Sequence, residues 1–128
     1  MKVLIKNPFI VNADHSFRSD IMIENGNIIR IAENIEKKDD AMVIDATHLY
    51  ALPGGIDPHV HMELPTPAGN SSDDFYSGSL AALAGGTTSI IDFVTPSRGQ
   101  SHTEAVKLRK QEAKKSLTDY SLHGTVVQ

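Results

Sequence analysis

Two histidines separated by one residue are the strongest chemical feature of the sequence. They occur in the segment Asp57-Pro58-His59-Val60-His61. Alternate side chains of a β-strand point to the same face, so the two imidazoles would stand side by side with Asp57 on their face. Neutral imidazoles held close on a rigid strand suit a divalent metal. We therefore predict that His59 and His61 are metal ligands, and that Asp57 supports the site without binding the metal.

Composition restricts the kind of site and of protein. The 128 residues include no cysteine, so disulfides and thiolate ligands are excluded and a transition-metal site must use His and carboxylates. The net charge of −4 gives no indication of nucleic-acid binding. No apolar run approaches the roughly 20 residues that span a bilayer, and the first residues do not resemble a signal peptide. We expect a cytoplasmic protein that binds neither nucleic acid nor membranes.

The first 52 residues are typical of short β-strands. Asn25-Gly26 lies between two β-rich stretches, and this pair favours a type I′ hairpin turn, in which both central residues have positive φ. The sequence therefore predicts a small antiparallel sheet in this segment. Its strands are expected at Val3–Ile5, Phe9–Val11, Asp20–Glu24, Asn27–Ile31, Val43–Ala46 and His48–Leu52.

The pattern changes at Pro53, after which strands and helices alternate. Buried strands are predicted at Ile56–Leu64 and at Thr87–Val94, the second because its continuous apolar and β-branched residues suit a parallel sheet covered on both faces. A third strand is predicted at Tyr120–Val127. Two helices are expected between these strands. Ser71 or Ser72 should cap the first, where Ser71 and Asp74 resemble a capping box, and Ser101 and Glu104 form a full capping box at the start of the second. This alternation predicts an α/β arrangement of right-handed βαβ units with a parallel sheet.

Helical spacing predicts which side chains each helix buries. The first helix should bury Leu80, Ala81, Leu83 and Ala84 and end at Gly85-Gly86, and the second should bury Ala105, Leu108, Ala113 and Leu117. The basic residues of the second helix are expected on its solvated face; they are Lys107, Arg109, Lys110, Lys114 and Lys115.

The remaining polar residues receive structural interpretations. Asp92, late in the second strand, is expected to make a structural hydrogen bond, and His123 is expected to be a hydrogen-bonded core histidine. Asp73 and Asp74 should stabilise the N-terminus of the first helix through its dipole. His102 should be exposed within its capping box.

Several blocks of the sequence resemble a known family. The segment Pro53-Gly54-Gly55-Ile56-Asp57-Pro58-His59-Val60-His61 resembles the signature of the amidohydrolase superfamily. The blocks at 72–75, 84–93 and 119–123 are similar to the dihydropyrimidinase (hydantoinase) family. The similarity extends over almost the whole chain and is weaker before Leu52 than after it.

The resemblance implies a fold and an activity. Residues 1–52 would form a segment of a β-sandwich, and residues 53–128 would form the first three strands and two helices of an incomplete TIM-like barrel. The family hydrolyses C–N bonds of small cyclic amides or ureides with two divalent metal ions, usually zinc, and is commonly oligomeric. His59 and His61 would bind one of these ions. The other ligands and the catalytic groups belong to later segments, so no catalytic or substrate-binding residue is identified, and this N-terminal piece alone should be inactive.

Two alternatives remain open. Dihydroorotases and allantoinases usually carry an arginine after the metal motif, whereas this sequence continues Met62-Glu63-Leu64-Pro65, which disfavours both activities. A non-catalytic fragment or interaction module is the other alternative. The presence of His61 disfavours it, because non-catalytic scaffold relatives of the family lack the second histidine of the motif.

Overall fold

A computed structural model describes residues 1–38 and 40–126 of the chain. The chain divides into two compact units, Met1–Pro53 and Gly54–Gln128. The strands of the first unit are β1 (Lys2–Lys6), β2 (Phe9–Val11), β3 (Ser16–Arg18), β4 (Asp20–Glu24), β5 (Asn27–Ala32), β6 (Ala41–Asp45) and β7 (Tyr50–Ala51).

The strands of the first unit form two mixed sheets, so the prediction of one antiparallel sheet was wrong. The first sheet has the order β5-β4-β1-β6 and the second has the order β3-β2-β7. Each sheet contains one parallel pair, formed by its strand that comes latest in the sequence: β6 pairs with β1, and β7 pairs with β2. Strand composition and turn signals do not encode this parallel pairing, because a crossover connection determines it.

The predicted hairpin at Asn25-Gly26 is confirmed. It connects β4 to β5, which pair antiparallel. Asn25 has a φ of 51° and Gly26 has a φ of 81°, so both central residues have the positive φ that a type I′ turn requires.

A largely buried carboxylate stabilises the first unit beside a small apolar core of Leu4, Met22 and Ile35. Asp20 accepts hydrogen bonds from the ammonium group of Lys6 at 2.5 Å and from the backbone N–H groups of Asn7 at 2.9 Å and Ile35 at 2.8 Å. Burial raises the pKa of Asp20, but these hydrogen bonds outweigh it and hold the pKa below its ordinary value of 3.8.

This ion pair predicts an acid-sensitive contribution to stability. Because the folded-state pKa of Asp20 lies below 3.8, its stabilising contribution is present above that pH and is lost as the pH falls through the folded-state value. We expect Asp20→Asn to lower the urea midpoint of unfolding more at pH 7 than at pH 2.5. The same loss at both pH values would contradict the ion-pair account.

The second unit contains a three-stranded parallel sheet and two helices. Its strands are β8 (Gly55–Val60), a short hairpin of β9 (Pro65–Thr66) and β10 (Gly69–Asn70), β11 (Thr87–Val94) and β12 (Asp119–Gly124). The helices are α1 (Phe75–Ala84) and α2 (His102–Glu112), which continues into a 3₁₀ turn (Ala113–Lys115). Strand β11 is central and pairs parallel with β8 and β12, so the predicted parallel pairing is confirmed.

Strand β8 is shorter and more exposed than predicted. It ends at Val60 instead of Leu64, and the chain turns at Glu63, whose φ is 47°. Ile56 is 67% exposed, because β8 is an edge strand that pairs only with β11 among the described residues. Strand β12 ends at Gly124, whereas the predicted end at Val127 lies outside the described residues.

The N-terminus of α1 is capped by a different residue from the one predicted. Asp74 is the N-cap: its side chain accepts from the backbone N–H of Tyr76 and Ser77, and the Ser77 hydroxyl accepts from the N–H of Asp74. Ser71 is unavailable as a cap because its hydroxyl accepts from the Leu64 N–H and donates to the His61 carbonyl. The capping box of Ser101 and Glu104 on α2 is confirmed.

The buried faces of both helices also differ from the prediction. The face of α1 that is buried contains Phe75 and Ser79, whereas Leu80 and Leu83 are exposed. On α2, Ala105 is buried and Leu108 is exposed. Leu117 is also exposed, beyond the end of this helix. The core of the second unit consists of Met62, Phe75, Ile90 and Ala113, with Val60 and Ala82 packed against it.

Arg109 belongs to the inward side of α2, contrary to its predicted place on the solvated face. It lies four residues after Ala105 and four before Ala113, a spacing that keeps the three on one side of a helix. Its side chain is only 12% exposed. Among the helices within residues 1–38 and 40–126, none has both the length and the hydropathy of a membrane-spanning segment.

Candidate metal centre

The structure brings the two imidazoles of the His-x-His segment together. The Nε2 atoms of His59 and His61 lie 3.2 Å apart, and the ring planes are inclined at 79°. Both residues are exposed, His59 within β8 and His61 directly after it. Two imidazole nitrogens bound to one tetrahedral zinc ion at its usual bond lengths would stand roughly 3.3 Å apart. The spacing of this donor pair therefore fits two positions of a zinc coordination sphere.

A bulge in β8 shapes this segment. Asp57 pairs with Ile90 and Val60 pairs with Asp92, so three steps along β8 match two steps along β11. The extra residue falls beside Pro58, which has no N–H to donate to the neighbouring strand. Asp57 accepts a hydrogen bond from the backbone N–H of His59 at 3.1 Å. This hydrogen bond stabilises the backbone of the bulge, in agreement with a supporting role for the Asp57 carboxylate.

Phe93 forms an aromatic platform beneath the histidine pair. The centroid of its ring lies 4.5 Å from that of His59 and 5.0 Å from that of His61. The ring of His123 packs against it as well, at 4.9 Å. Phe93 therefore limits the orientations available to both imidazoles.

His123 is not the core histidine that the sequence predicted. It is exposed and pairs directly with Phe93 across the parallel strands β11 and β12. Its Nε2 is 3.1 Å from the carbonyl oxygen of Pro58, to which it can donate a hydrogen bond. The prediction failed because β12 is an edge strand of the sheet formed by the described residues, so its side chains are less covered than those of β11.

Asp92 makes the structural hydrogen bonds that the sequence predicted, in a completely buried environment. Its carboxylate accepts from the backbone N–H of Phe93 at 2.6 Å and pairs with the guanidinium of Arg109 at 2.5 Å. The same guanidinium donates to the carbonyl of Met62 and, at 2.7 Å, to the carboxylate of Glu112. Sequence reasoning missed Arg109, although a lone Asp in an apolar strand requires a partner and the four-residue spacing indicated one.

His123 shares the ring of Phe93 with this pair, whereas His15 and His102 make their contacts elsewhere. His15 contacts Asp14 and stacks on Phe17 in the first unit. His102 is exposed, as predicted, and contacts the carbonyl of Thr125. Within residues 1–38 and 40–126, no group of three or more His, Cys, Asp or Glu side chains is arranged to hold a metal ion. The part of the chain that the structure describes therefore contributes two candidate ligands, fewer than the three or four that zinc sites use.

A small open cavity adjoins the histidine pair. Its volume is about 230 Å³, and its lining includes His61, Glu63, Phe93, Thr95, Arg109 and Glu112. It borders the carboxyl ends of β8 and β11, the edge of a parallel sheet at which ligands commonly bind. A molecule held there would lie next to the imidazole of His61.

Comparisons with known proteins agree with these observations. The amidohydrolase family model matches residues 50–126. A dihydropyrimidinase of Dictyostelium discoideum is 52% identical over 125 residues, which cover 97% of this chain and 25% of that protein. A D-hydantoinase of Geobacillus stearothermophilus is 42% identical over 124 residues, which cover 96% of this chain and 26% of that protein.

Solved structures give the same relationship. A D-hydantoinase crystal structure matches with a TM-score of 0.93 at 39% identity, covering all of this chain and 28% of that one. The dihydropyrimidinase of Brevibacillus agri matches with a TM-score of 0.91 at 40% identity, covering 98% of this chain and 27% of that one. The chain thus spans about a quarter of the length of these relatives. With the family model matching more than half of its residues, this chain belongs to the amidohydrolase family.

Proposed function

We propose that this chain supplies part of the metal site of a cyclic amidohydrolase. His59 and His61 are two ligands of a divalent cation, for which zinc is the first candidate. The observation that carries the proposal is the 3.2 Å separation of the two Nε2 atoms, which suits a shared ion. Membership of the amidohydrolase family supports it. The substrate class would be a small cyclic amide or ureide, consistent with relatives named dihydropyrimidinase and D-hydantoinase.

The proposed domain assignment follows from the same family. Residues 1–52 would be a segment of a β-sandwich, and residues 53–128 would be the first three strands and two helices of a TIM-like barrel. The parallel order β12-β11-β8 supports the second assignment. In a complete enzyme of this kind, located in the cytoplasm and assembled from identical subunits, other segments would supply the missing ligands.

The chain's own residues have separable tasks in this proposal. His59 and His61 bind through Nε2 in the neutral form, Phe93 restricts their rings, and Asp57 holds the backbone of the bulge. A bound divalent metal would polarise the amide carbonyl and lower the pKa of bound water. The cavity beside His61 would hold the ring of the substrate next to that centre.

A segment exchange tests this function directly. The matching segment of the Geobacillus stearothermophilus D-hydantoinase would be replaced by this chain, and the chimera assayed for hydrolysis of hydantoin and dihydrouracil. We expect ring opening by the chimera. When the segment carries His59→Ala, kcat/KM should fall by at least about 100-fold and the zinc content should be reduced, because the loss of a ligand should exceed that of a supporting residue. The chain alone, supplied with zinc, should not open either ring.

Two controls make the exchange decisive. A chimera carrying His102→Ala should retain activity, because that histidine contacts only the Thr125 carbonyl among the polar groups described. Circular dichroism and gel filtration identify chimeras that do not fold. A folded chimera whose activity and zinc content survive His59→Ala would refute the assignment.

A further inference from the structure

We propose that the buried ion pair of Asp92 and Arg109 positions His61 by fixing the backbone of the next residue, Met62. The proposal rests on the proposed function in that His61 is taken as a metal ligand. Asp92 and Arg109 would be positioning residues, which act on the site through Met62 and do not touch the ion.

The ion pair contacts both the N–H and the carbonyl group of Met62. The carboxylate of Asp92 lies 3.4 Å from the Met62 N–H, and the guanidinium of Arg109 donates to the Met62 carbonyl. Asp92 and Arg109 also pair with each other at 2.5 Å, so the three groups form a closed ring of interactions. Both polar backbone groups of Met62 are therefore held by one ion pair.

The side chain of Met62 is buried and closely packed as well. Met62 is buried in the core with Phe75 and Ile90. A Cβ added at Gly78 would collide with its sulfur, which shows how closely helix α1 approaches it. Because consecutive residues share a rigid peptide plane, fixing Met62 restricts the carbonyl end of His61.

The guanidinium is itself fixed by several partners. Its central carbon lies 4.7 Å from the centroid of the Phe75 ring, which is fully buried, and a second nitrogen donates to Glu112 at 2.7 Å. These contacts hold the planar group in one orientation. Arg109 thereby connects helix α2 to the end of the strand that carries the histidine pair.

A contribution to folding stability does not by itself explain why a buried ion pair occurs at this place. Replacing a buried ion pair by apolar or neutral side chains is often neutral or stabilising, whereas removing one partner leaves an uncompensated charge. The contact of this pair with Met62, directly after the candidate ligand His61, explains it better. Replacing a residue that supports a metal ligand typically lowers metal affinity about 10- to 100-fold. This difference separates the positioning role from a purely structural one.

The test compares a single variant with a double variant of the whole chain. Arg109→Met leaves Asp92 buried without its partner, and we expect a lower urea midpoint. Asp92→Asn combined with Arg109→Met removes both charges, and its midpoint should recover towards wild type. The zinc affinity, measured by calorimetry, should nevertheless stay at least about 10-fold weaker than wild type, because the Met62 carbonyl still lacks its donor.

A metal-free measurement separates this proposal from the proposed function. In carbon–proton spectra, the ring signals of His61 should be displaced by the ring current of Phe93, which lies 5.0 Å away. The double variant should shift these signals towards the positions of an unfolded peptide. Failure of the wild-type chain to bind zinc would count against the proposed function alone, since the ring signals still decide the positioning role.

A second ion pair provides a matched control. Lys6 and Asp20 form a similar pair within the first unit, and Asp20 also accepts from two backbone N–H groups. Asp20→Asn with Lys6→Met should leave the His61 signals and the zinc affinity unchanged.

Arg109→Lys keeps the charge and offers donors to the two acceptors that one guanidinium nitrogen now serves, so it should preserve the His61 signals. If the double variant fails to fold, the Lys and Met variants at position 109 are compared instead. Wild-type His61 signals and zinc affinity in a folded double variant, or equal displacement by Lys and Met, would overturn the proposal.

Discussion

Replacing His59 or His61 by alanine should reduce the zinc affinity of the chain at least about 100-fold, to the background level of its other histidines. The loss should exceed the 10- to 100-fold effect of removing a supporting residue, because a ligand is removed and not only its orientation. The 3.2 Å separation of the two Nε2 atoms means that either substitution leaves a single imidazole. Calorimetric titration of the purified variants measures the effect.

His102→Ala is the matched control for this titration, since it removes an exposed histidine of the same unit. Its zinc affinity should equal that of wild type. Equal losses from His102→Ala and from His61→Ala would indicate nonspecific binding by surface histidines.

Phe75→Ala should destabilise the second unit by about 3–5 kcal/mol, the usual cost of removing a buried aromatic side chain. Phe75 is fully buried, packs with Met62, Ile90 and Ala113, and lies beneath the guanidinium of Arg109. A loss of this size is a large part of the roughly 5–15 kcal/mol that stabilises an ordinary domain. Urea unfolding followed by circular dichroism measures it.

Leu80→Ala on the same helix supplies the comparison. Leu80 is 49% exposed, so its replacement should cost less than about 1 kcal/mol. The pair of variants tests which face of α1 is buried, a point on which helical spacing alone was misleading. A greater cost for Leu80 than for Phe75 would contradict the observed packing.

Local signals predicted local structure well. The Asn25-Gly26 turn, the strand Thr87–Val94 and the Ser101 capping box all occur where the sequence placed them. Each depends on residues close together in the chain, such as a pair that tolerates positive φ or a hydroxyl within reach of its own helix N-terminus. The adjacency of the rings of His59 and His61, expected from their spacing, is present as well.

Features that depend on distant residues were predicted poorly. Serine is a common helix-capping residue, but the hydroxyl of Ser71 is hydrogen-bonded to the backbone of Leu64 and His61. Asp74 therefore caps α1. Arginine is usually found at the surface, yet Arg109 is buried because its guanidinium pairs with Asp92 in strand β11. In both cases the deciding partner lies in another part of the fold. Only for Arg109 did the sequence carry a signal, because its four-residue spacing from Ala105 and Ala113 places it on the inward side of the helix.

The most direct test of the proposed metal site is a zinc titration of the wild-type chain followed by long-range nitrogen–proton spectra of the imidazoles. We predict that the Nε2 signals of His59 and His61 shift together and saturate at one ion per chain, while the ring signals of His15, His48 and His102 do not move. Shifts of Nδ1 instead of Nε2, or equal shifts at all of the histidines, would contradict it.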